Sequence, residues 1–237
     1  MNGRERILAR IREALRVPAP RPGSHGHGHH DVPAPAPQAG RIPLRPVQQA
    51  RAWLPPGGDT PEEQLGRFAA ASADLKTDFH LLADEAAARA KLSGIASAEG
   101  WKQIATHRAA LTDAVVPSLG IPSRTTDGGY DPEDLERCDA GITTCDVLVA
   151  QTGTLVVNSR TTGGRALSVL PPHHVVLARR DQLVGDLTDA FQRIRELHGE
   201  GWPSMISLVT GPSRTGDIER ILVLGAHGPK KLTVLMW

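Results

Sequence analysis

The chain has 237 residues, 40% of them hydrophobic and 22% charged, which suffices for one core of about 150 to 200 residues and an appendage. Its formal net charge of +1 at pH 7 gives no support for a nucleic-acid partner, because proteins that bind polyanions usually carry a concentrated basic face. Two cysteines exclude a disulfide framework and an iron–sulfur cluster held by this chain alone.

The sequence carries no recognisable membrane or secretion signal. No apolar run approaches the roughly 18 residues of a membrane span. Residues 1–30 also lack the apolar core of a signal peptide. We therefore expect a cytoplasmic protein with no membrane span.

The first predicted element is an amphipathic helix over residues 1–16, with Ile7, Ile11 and Leu15 on one face. It either docks onto a partner subunit or covers its own domain. Residues 17–58 are rich in Pro, Gly, Ala and His, which predicts a disordered linker. The histidine tract at residues 25–30 could capture a divalent metal, but we interpret it as solvated and expect no metal site.

A domain spanning residues 59–237 follows. Thr60, Pro61 and Glu63 form a capping-box pattern that predicts the start of a helix. Apolar periodicity then predicts, in order, a strand over 77–82, a helix over 84–98, a strand over 101–105 and a weaker helix that ends before Pro117. This alternation favours an α/β fold with a mostly parallel sheet.

Residues 121–140 are polar and rich in turns, and they predict an excursion with little core content. Two buried strands are predicted within residues 141–159, separated by Gln151, Thr152, Gly153 and Thr154. That turn offers hydroxyl and backbone donors to a ligand. It could equally be a structural tight turn.

Two arginines, Arg160 and Arg165, flank a pair of glycines in the next loop. Glycines allow close approach, and guanidinium groups match carboxylates or phosphates, so Gly164 and Arg165 are candidate ligand-binding residues. A flexible surface loop is the alternative. His174, which leads into a strand over 175–178, is either a hydrogen-bonded structural histidine or a proton carrier.

The most informative stretch is the turn at residues 210–219, which follows a helix capped by Asp186 and a strand over 205–209. Its donors, Ser213, Arg214 and Thr215, suit a carboxylate or phosphate. Asp217 and Glu219 follow as candidate bases. In open parallel sheets, ligands bind beyond the carboxyl ends of strands, so turns of this kind matter most. A last strand is predicted over 232–237.

The order of several short motifs along the chain resembles the LUD-domain family, and within it the stand-alone members of the lactate utilization C type. These motifs are Gly141-Ile142-Thr143, Thr152-Gly153-Thr154-Leu155-Val156, Gly164-Arg165, Leu170-Pro171-Pro172-x-His174, Gly211-Pro212-Ser213-Arg214-Thr215-x-Asp217-Ile218-Glu219 and Leu224-Gly225-x-His227-Gly228-Pro229. The resemblance covers about residues 60–237.

This resemblance implies a three-layer α/β fold shared with glucosamine-6-phosphate deaminase, ribose-5-phosphate isomerase and coenzyme A transferases. It also implies a role in oxidising L-lactate to pyruvate beside iron–sulfur and cysteine-rich lactate utilization proteins. Under this interpretation the chain binds no cofactor itself, and the clusters lie on the partner subunits.

Carried over residue by residue, the pattern gives two sets of candidates. The ligand-binding set is Thr152, Gly153, Thr154, Gly164, Arg165, Ser213, Arg214 and Thr215, and the catalytic set is Asp217, Glu219, His174 and His227. Gln151 stands where relatives commonly have an acidic residue, which removes one obvious carboxylate for catalysis.

Two main hypotheses follow. In the first, the chain is a non-redox subunit of a lactate-oxidising system that binds a small carboxylate or phosphate-bearing ligand. In the second, it is a free-standing enzyme or binding protein for a phosphorylated or coenzyme A-linked molecule. A metal-handling role for the histidine tract is a third.

Overall fold

The computed structural model describes residue 13 and residues 55–216, 222–225 and 227–237. The predicted helix over 1–16 and linker over 17–58, with its histidine tract, fall outside the described residues except for residues 13 and 55–58. The domain limits therefore stay predictions. Among the described residues, no helix combines the length and apolar character needed to cross a membrane.

The described residues alternate between helices and strands, as the sequence predicts. The helices are α1 (Pro61–Leu75), α2 (Glu85–Glu99), α3 (Ala110–Val115), α4 (Pro132–Glu136), α5 (Gly164–Val169) and α6 (Leu187–His198), with 3-10 turns at Val116–Leu119 and Arg180–Gln182. The strands are β1 (Asp78–Leu81), β2 (Ile104–Thr106), β3 (Ser123–Thr125), β4 (Ala140–Thr144), β5 (Val147–Val149), β6 (Thr154–Asn158), β7 (His173–Ala178), β8 (Leu183–Val184), β9 (Ile206–Thr210), β10 (Arg214–Gly216), β11 (Leu222–Leu224) and β12 (Lys231–Met236).

The predicted helix starts are confirmed by their capping bonds. Thr60 Oγ1 accepts the Glu63 N–H, and Asp84 Oδ1 accepts the Ala87 N–H. Asp186 Oδ1 accepts two N–H groups at the start of α6. Each cap satisfies donors that have no partner within the helix.

The main sheet has six strands in the order β1-β12-β7-β4-β2-β3, and all five pairings are parallel. Val175 and Leu177 pack with α2 and α3 on one face, while Val176 and Ala178 pack on the other. A sheet buried on both faces requires near-continuous apolar strands, and β7 and β12 meet that requirement. The α/β class with a mostly parallel sheet is confirmed.

The second face of the main sheet is covered by α1, α5 and a smaller sheet in the order β8-β5-β6-β9. In this smaller sheet β6 pairs antiparallel with both β5 and β9. Its outer face packs against Ala190 and Ile194 of α6. The result is a three-layer α/β arrangement, with the smaller sheet lying within one outer layer.

Two predictions about the middle of the chain are wrong in detail. The apolar run at 141–149 is not one strand, because it leaves the main sheet after Thr144 and enters the smaller sheet at Val147. Residues 121–140 contribute to the core, since Leu135 and Cys138 are buried against Ala105. Their apolar residues are too few and too widely spaced for periodicity to reveal this packing.

Candidate functional site

An open polar cavity of about 880 Å³ lies where the main sheet presents the carboxyl ends of β2 and β3. One wall comes from the residues that follow these strands, and another from residues 158–165, here named the Asn158 loop. The lining residues are His107, Arg108, Thr126, Asp127, Tyr130, Ser159, Arg160, Thr161, Gly163, Gly164, Arg165, Ala166, Ser204 and Met205. Ligands of parallel α/β sheets bind at this edge.

The Asn158 loop is organised by the side chain of Asn158, which is fully buried. Asn158 Oδ1 accepts the N–H groups of Arg160 at 2.6 Å and Thr161 at 2.8 Å. Its Nδ2 donates to Asp146 Oδ2 at 2.6 Å and to Thr161 Oγ1 at 2.7 Å. The Asn158 N–H in turn donates to Thr162 Oγ1 at 2.6 Å. These bonds fix the backbone between the strand end and the glycines.

Asp146 stabilises the Asn158 loop through hydrogen bonds. Its Oδ2 also accepts from His198 Nε2 at 2.9 Å, at the end of α6, and its Oδ1 accepts from Thr161 Oγ1 at 3.1 Å. The side chains of Asp146 and His198 are only 7% and 4% exposed. A buried carboxylate is costly unless its oxygens are hydrogen-bonded, so this network is a structural necessity for the loop.

His107 lines the cavity next to Gly163. Its Nε2 accepts the Thr144 N–H at 3.2 Å, which leaves the ring proton on Nδ1 in the neutral form. Burial lowers the pKa of this imidazole, against the opposing effect of Asp127. Gly163 has φ +86°, and a Cβ there would lie 2.7 Å from the His107 ring. The close approach of loop and ring therefore requires glycine.

Three arginines and one carboxylate line the cavity. Arg108 lies 3.4 Å from Asp113, and its backbone N–H donates to Asp127 Oδ2 at 2.9 Å. Arg160 Nη1 donates to the Gly201 carbonyl at 2.6 Å. Among the described residues, no carboxylate forms an ion pair with Arg160 or Arg165. The cavity therefore offers uncompensated positive charge.

The predicted turn at Thr152, Gly153 and Thr154 lies at the other end of β6. Thr154 and Asn158 are four residues apart on one strand, or about 13 Å. Thr154 Oγ1 is 2.7 Å from Thr152 Oγ1 and 2.8 Å from Thr210 Oγ1, so the Thr154 hydroxyl links the other two.

Two glycines bring these turns onto α1. A Cβ on Gly153 would lie 3.0 Å from the Leu75 side chain, and one on Gly211 would lie 3.2 Å from it. Both glycines have positive φ. This packing favours the tight-turn interpretation of Thr152, Gly153 and Thr154 over a ligand cradle.

Ser213, Arg214 and Thr215 lie away from the cavity, towards the starts of β7 and β12. The Ser213 N–H donates to the Pro229 carbonyl at 2.9 Å, and the Ser213 carbonyl accepts the Gly225 N–H at 3.0 Å. Arg214 is exposed and begins the hairpin formed by β10 and β11. Thr215 lies in the same strand. Their role as ligand donors stays a prediction.

Of the four candidate catalytic residues, the structure describes two, His174 and His227. Asp217 and Glu219 lie outside the described residues, and His227 is exposed. His174 is fully buried, with its Nε2 2.8 Å from Thr143 Oγ1. Burial lowers the pKa of His174 to about 3. This environment favours the structural interpretation of His174 over proton transfer.

Gln151 has a structural partner. Its Nε2 donates to the Pro55 carbonyl, and its backbone N–H donates to the Gly185 carbonyl at 3.0 Å. Gln151 thus ties the start of the described domain to the loop before α6.

The cavity residues His107, Arg108, Asp127 and Tyr130, and the supporting residues Asp146, Asn158 and His198, were not predicted. Only Asp146 gave a usable signal, as a carboxylate inside an otherwise apolar run. Among the described residues, no three His, Cys, Asp or Glu side chains form a group that could hold a metal ion.

Comparison with known proteins places these features in a family context. The family model described as the LUD domain matches residues 65–236. The chain is similar to lactate utilization protein C of Shouchella clausii, with 42% identity over 42% of this chain and 44% of the relative. The Bacillus subtilis protein of the same name is 34% identical over 51% of this chain and 52% of its own length.

The Deinococcus radiodurans protein of that name is 33% identical over 52% of this chain and 61% of its length. The chain therefore spans about half the length of the curated relatives it matches. A crystal structure of a DUF162 family protein from Deinococcus radiodurans superposes with a TM-score of 0.59 at 25% identity, over 76% of this chain and 99% of the other.

Proposed function

The chain belongs to the LUD domain family, and on that premise we propose that it takes part in lactate utilization as a subunit without a redox centre of its own. The observation that carries this proposal is the similarity to three proteins named lactate utilization protein C. The activity in question is oxidation of L-lactate to pyruvate, which releases two electrons and two protons. The chain works with partners that accept those electrons.

The cysteines of this chain support placing the redox centres on the partners. Metal ligation requires the thiolate form, and burial raises the pKa of both the Cys138 and Cys145 thiols. Two cysteines are also fewer than the four thiolates that usually hold an iron–sulfur cluster. The resemblance to the LUD-domain family implies that these partners are iron–sulfur and cysteine-rich lactate utilization proteins.

Gene deletion in the host tests this role. Cells without the gene are expected to lose growth on L-lactate while growing normally on glucose, and a plasmid copy of the gene is expected to restore growth. Undiminished growth on L-lactate, in a strain shown to express no second LUD-domain protein, would contradict the proposal.

Affinity purification tests the partners separately. The tagged chain is expected to retain proteins whose visible absorption is that of iron–sulfur clusters, while the chain purified alone has none. Recovery of the chain without such proteins from lactate-grown cells would contradict the subunit role.

A second candidate function is favoured by the cavity at the carboxyl edge of the sheet. A free-standing enzyme or binding protein for a phosphorylated or coenzyme A-linked molecule would use such a site. Incubation of the purified chain with sugar phosphates and acyl-coenzyme A, followed by mass spectrometry, tests it. New products formed by the chain alone would favour this candidate, and unchanged substrates would count against the enzyme.

A further inference from the structure

We propose that the cavity beside the Asn158 loop binds a small molecule carrying a dianionic phosphate group, with Arg160 and Arg165 as its anchors. The proposal concerns the ligand of this site and holds for either function given above. It rests on the charge of the lining, the donors around it and the rigidity of the loop.

The lining carries a net positive charge, since it holds three arginines and one carboxylate, Asp127. Arg108 is compensated by Asp113 at 3.4 Å, while Arg160 and Arg165 have no carboxylate partner among the described residues. The uncharged His107 ring adds nothing to this count. Two guanidinium groups on one short loop repel each other, and a dianion removes that repulsion while accepting their hydrogen bonds.

The neutral donors of the cavity also match a phosphate ester. The hydroxyl-bearing residues Ser159, Ser204 and Tyr130 line it, with Ser159 Oγ 2.9 Å from Ser204 Oγ, and phosphate oxygens accept several hydrogen bonds at once. Gly164 has φ +78° and no neighbour closer than 3.7 Å to the position of a Cβ. The backbone before Arg165 is therefore open to a ligand.

Lactate fits this cavity poorly. It carries one negative charge and six non-hydrogen atoms, so it would leave one guanidinium unpaired and most of the roughly 880 Å³ unfilled. A volume of this size is that of a site for a molecule of sugar phosphate size or larger.

One of the two anchors, Arg160, is held before a ligand arrives. Asn158 Oδ1 fixes the Arg160 N–H at 2.6 Å, and the Arg160 guanidinium already bonds the Gly201 carbonyl at 2.6 Å. Because a preformed site loses little conformational entropy on binding, its ligand gains affinity. Asp146 and His198 act on the ligand only through this loop, as positioning residues.

Isothermal titration calorimetry on the full chain tests the proposal with four probes: inorganic phosphate, glucose 6-phosphate, sulfate and L-lactate. We expect glucose 6-phosphate and the two inorganic dianions to bind more tightly than L-lactate. The affinity for glucose 6-phosphate should rise between pH 5 and pH 7 as its second ionisation is completed, near pH 6. The affinity for sulfate should change less over this range.

The decisive variant is Arg165→Gln, with Arg89→Gln as the matched control. Arg89 is also half-exposed on a helix, but it pairs with Glu85 at 2.6 Å on the far face of the main sheet. Arg165→Gln is expected to weaken glucose 6-phosphate binding at least tenfold, and Arg89→Gln to leave it unchanged. Circular dichroism checks that both variants fold.

Three results would overturn the proposal: no heat with any dianion, equal or tighter binding of L-lactate, or dianion binding that Arg165→Gln leaves intact. The growth test of the proposed function is separate. A strain carrying Arg165→Gln can be tested for growth on L-lactate. Growth of this strain, although its protein no longer binds glucose 6-phosphate, would support the assigned ligand and would show that lactate utilization does not depend on it.

Discussion

The turns at the two ends of strand β6 are similar in composition, but one is packed against the protein and the other faces a cavity. At one end, the Thr154 hydroxyl bonds to the hydroxyls of Thr152 and Thr210, and Gly153 packs against α1. At the other end, the Asn158 loop leaves two guanidinium groups facing an open cavity. Glycines and hydroxyl groups therefore do not define a ligand site. A site requires donors that the protein itself leaves unsatisfied.

The largest expected effect comes from the loop end. Asn158→Ala removes the bonds to Arg160, Thr161 and Asp146 and leaves a buried carboxylate short of a donor. We expect a loss of about 3 kcal/mol in the free energy of unfolding, together with weaker dianion binding. Urea unfolding followed by circular dichroism measures it. A loss below about 1 kcal/mol would show that the loop does not depend on the hydrogen bonds of Asn158.

The second test asks whether His174 is a buried, neutral part of the structure. Its folded pKa of about 3 lies below the usual unfolded value of about 6.5. The unfolded state therefore takes up the proton first as pH falls, and stability present above pH 6.5 is lost towards pH 3. From pH 7 to pH 5 this histidine alone accounts for about 2 kcal/mol. His107 and His173, whose pKa values burial also lowers, add in the same direction.

His174→Gln is expected to flatten the stability profile between pH 7 and pH 5, and the exposed His227→Gln to leave it unchanged. Urea unfolding at each pH supplies the profile. If the free energy of unfolding changed equally with pH in the wild type and in His174→Gln, His174 would not be a buried neutral ring.

The third test concerns the packed turn and uses two glycines of similar backbone conformation. Gly153 and Gly100 have φ of +62° and +67°, so alanine strains the backbone equally at both. Only at Gly153 would the new Cβ meet α1, at 3.0 to 3.2 Å, whereas at Gly100 nothing lies within 4 Å. We expect Gly153→Ala to cost about 1 kcal/mol more than Gly100→Ala. Thermal unfolding compares the two, and equal losses would mean that the turn does not pack on α1.

The smallest expected effect separates the two turns by function. Thr154→Val removes one hydroxyl from the bonded trio and should cost less than about 1 kcal/mol. It should leave the affinity for glucose 6-phosphate unchanged, since the trio lies at the far end of β6. Calorimetry on this variant measures the affinity for glucose 6-phosphate. A tenfold loss of affinity would indicate that the Thr152 turn binds the ligand after all.

The sequence predicted much of the fold and part of the candidate site. The caps at Thr60, Asp84 and Asp186 and the apolar periods of the strands are local signals, and the structure contains the elements they predict. Of the predicted ligand-binding residues, Gly164 and Arg165 line the cavity, while the Thr152 turn and the Ser213 turn lie elsewhere. The residue types in a turn predict which hydrogen-bond donors it contains. They do not predict which of these donors remain unpaired in the folded protein.

The sequence by itself thus determined the α/β class, the helix starts and the family motifs, because capping bonds and side-chain periodicity act over a few neighbouring residues. Only the tertiary structure decided that the run at 141–149 divides between two sheets. It alone brought Asp146 to His198, 52 residues away, and His107 to Thr144, 37 residues away. These contacts depend on how layers pack, and no local pattern encodes which buried polar groups will find each other and which will face a cavity.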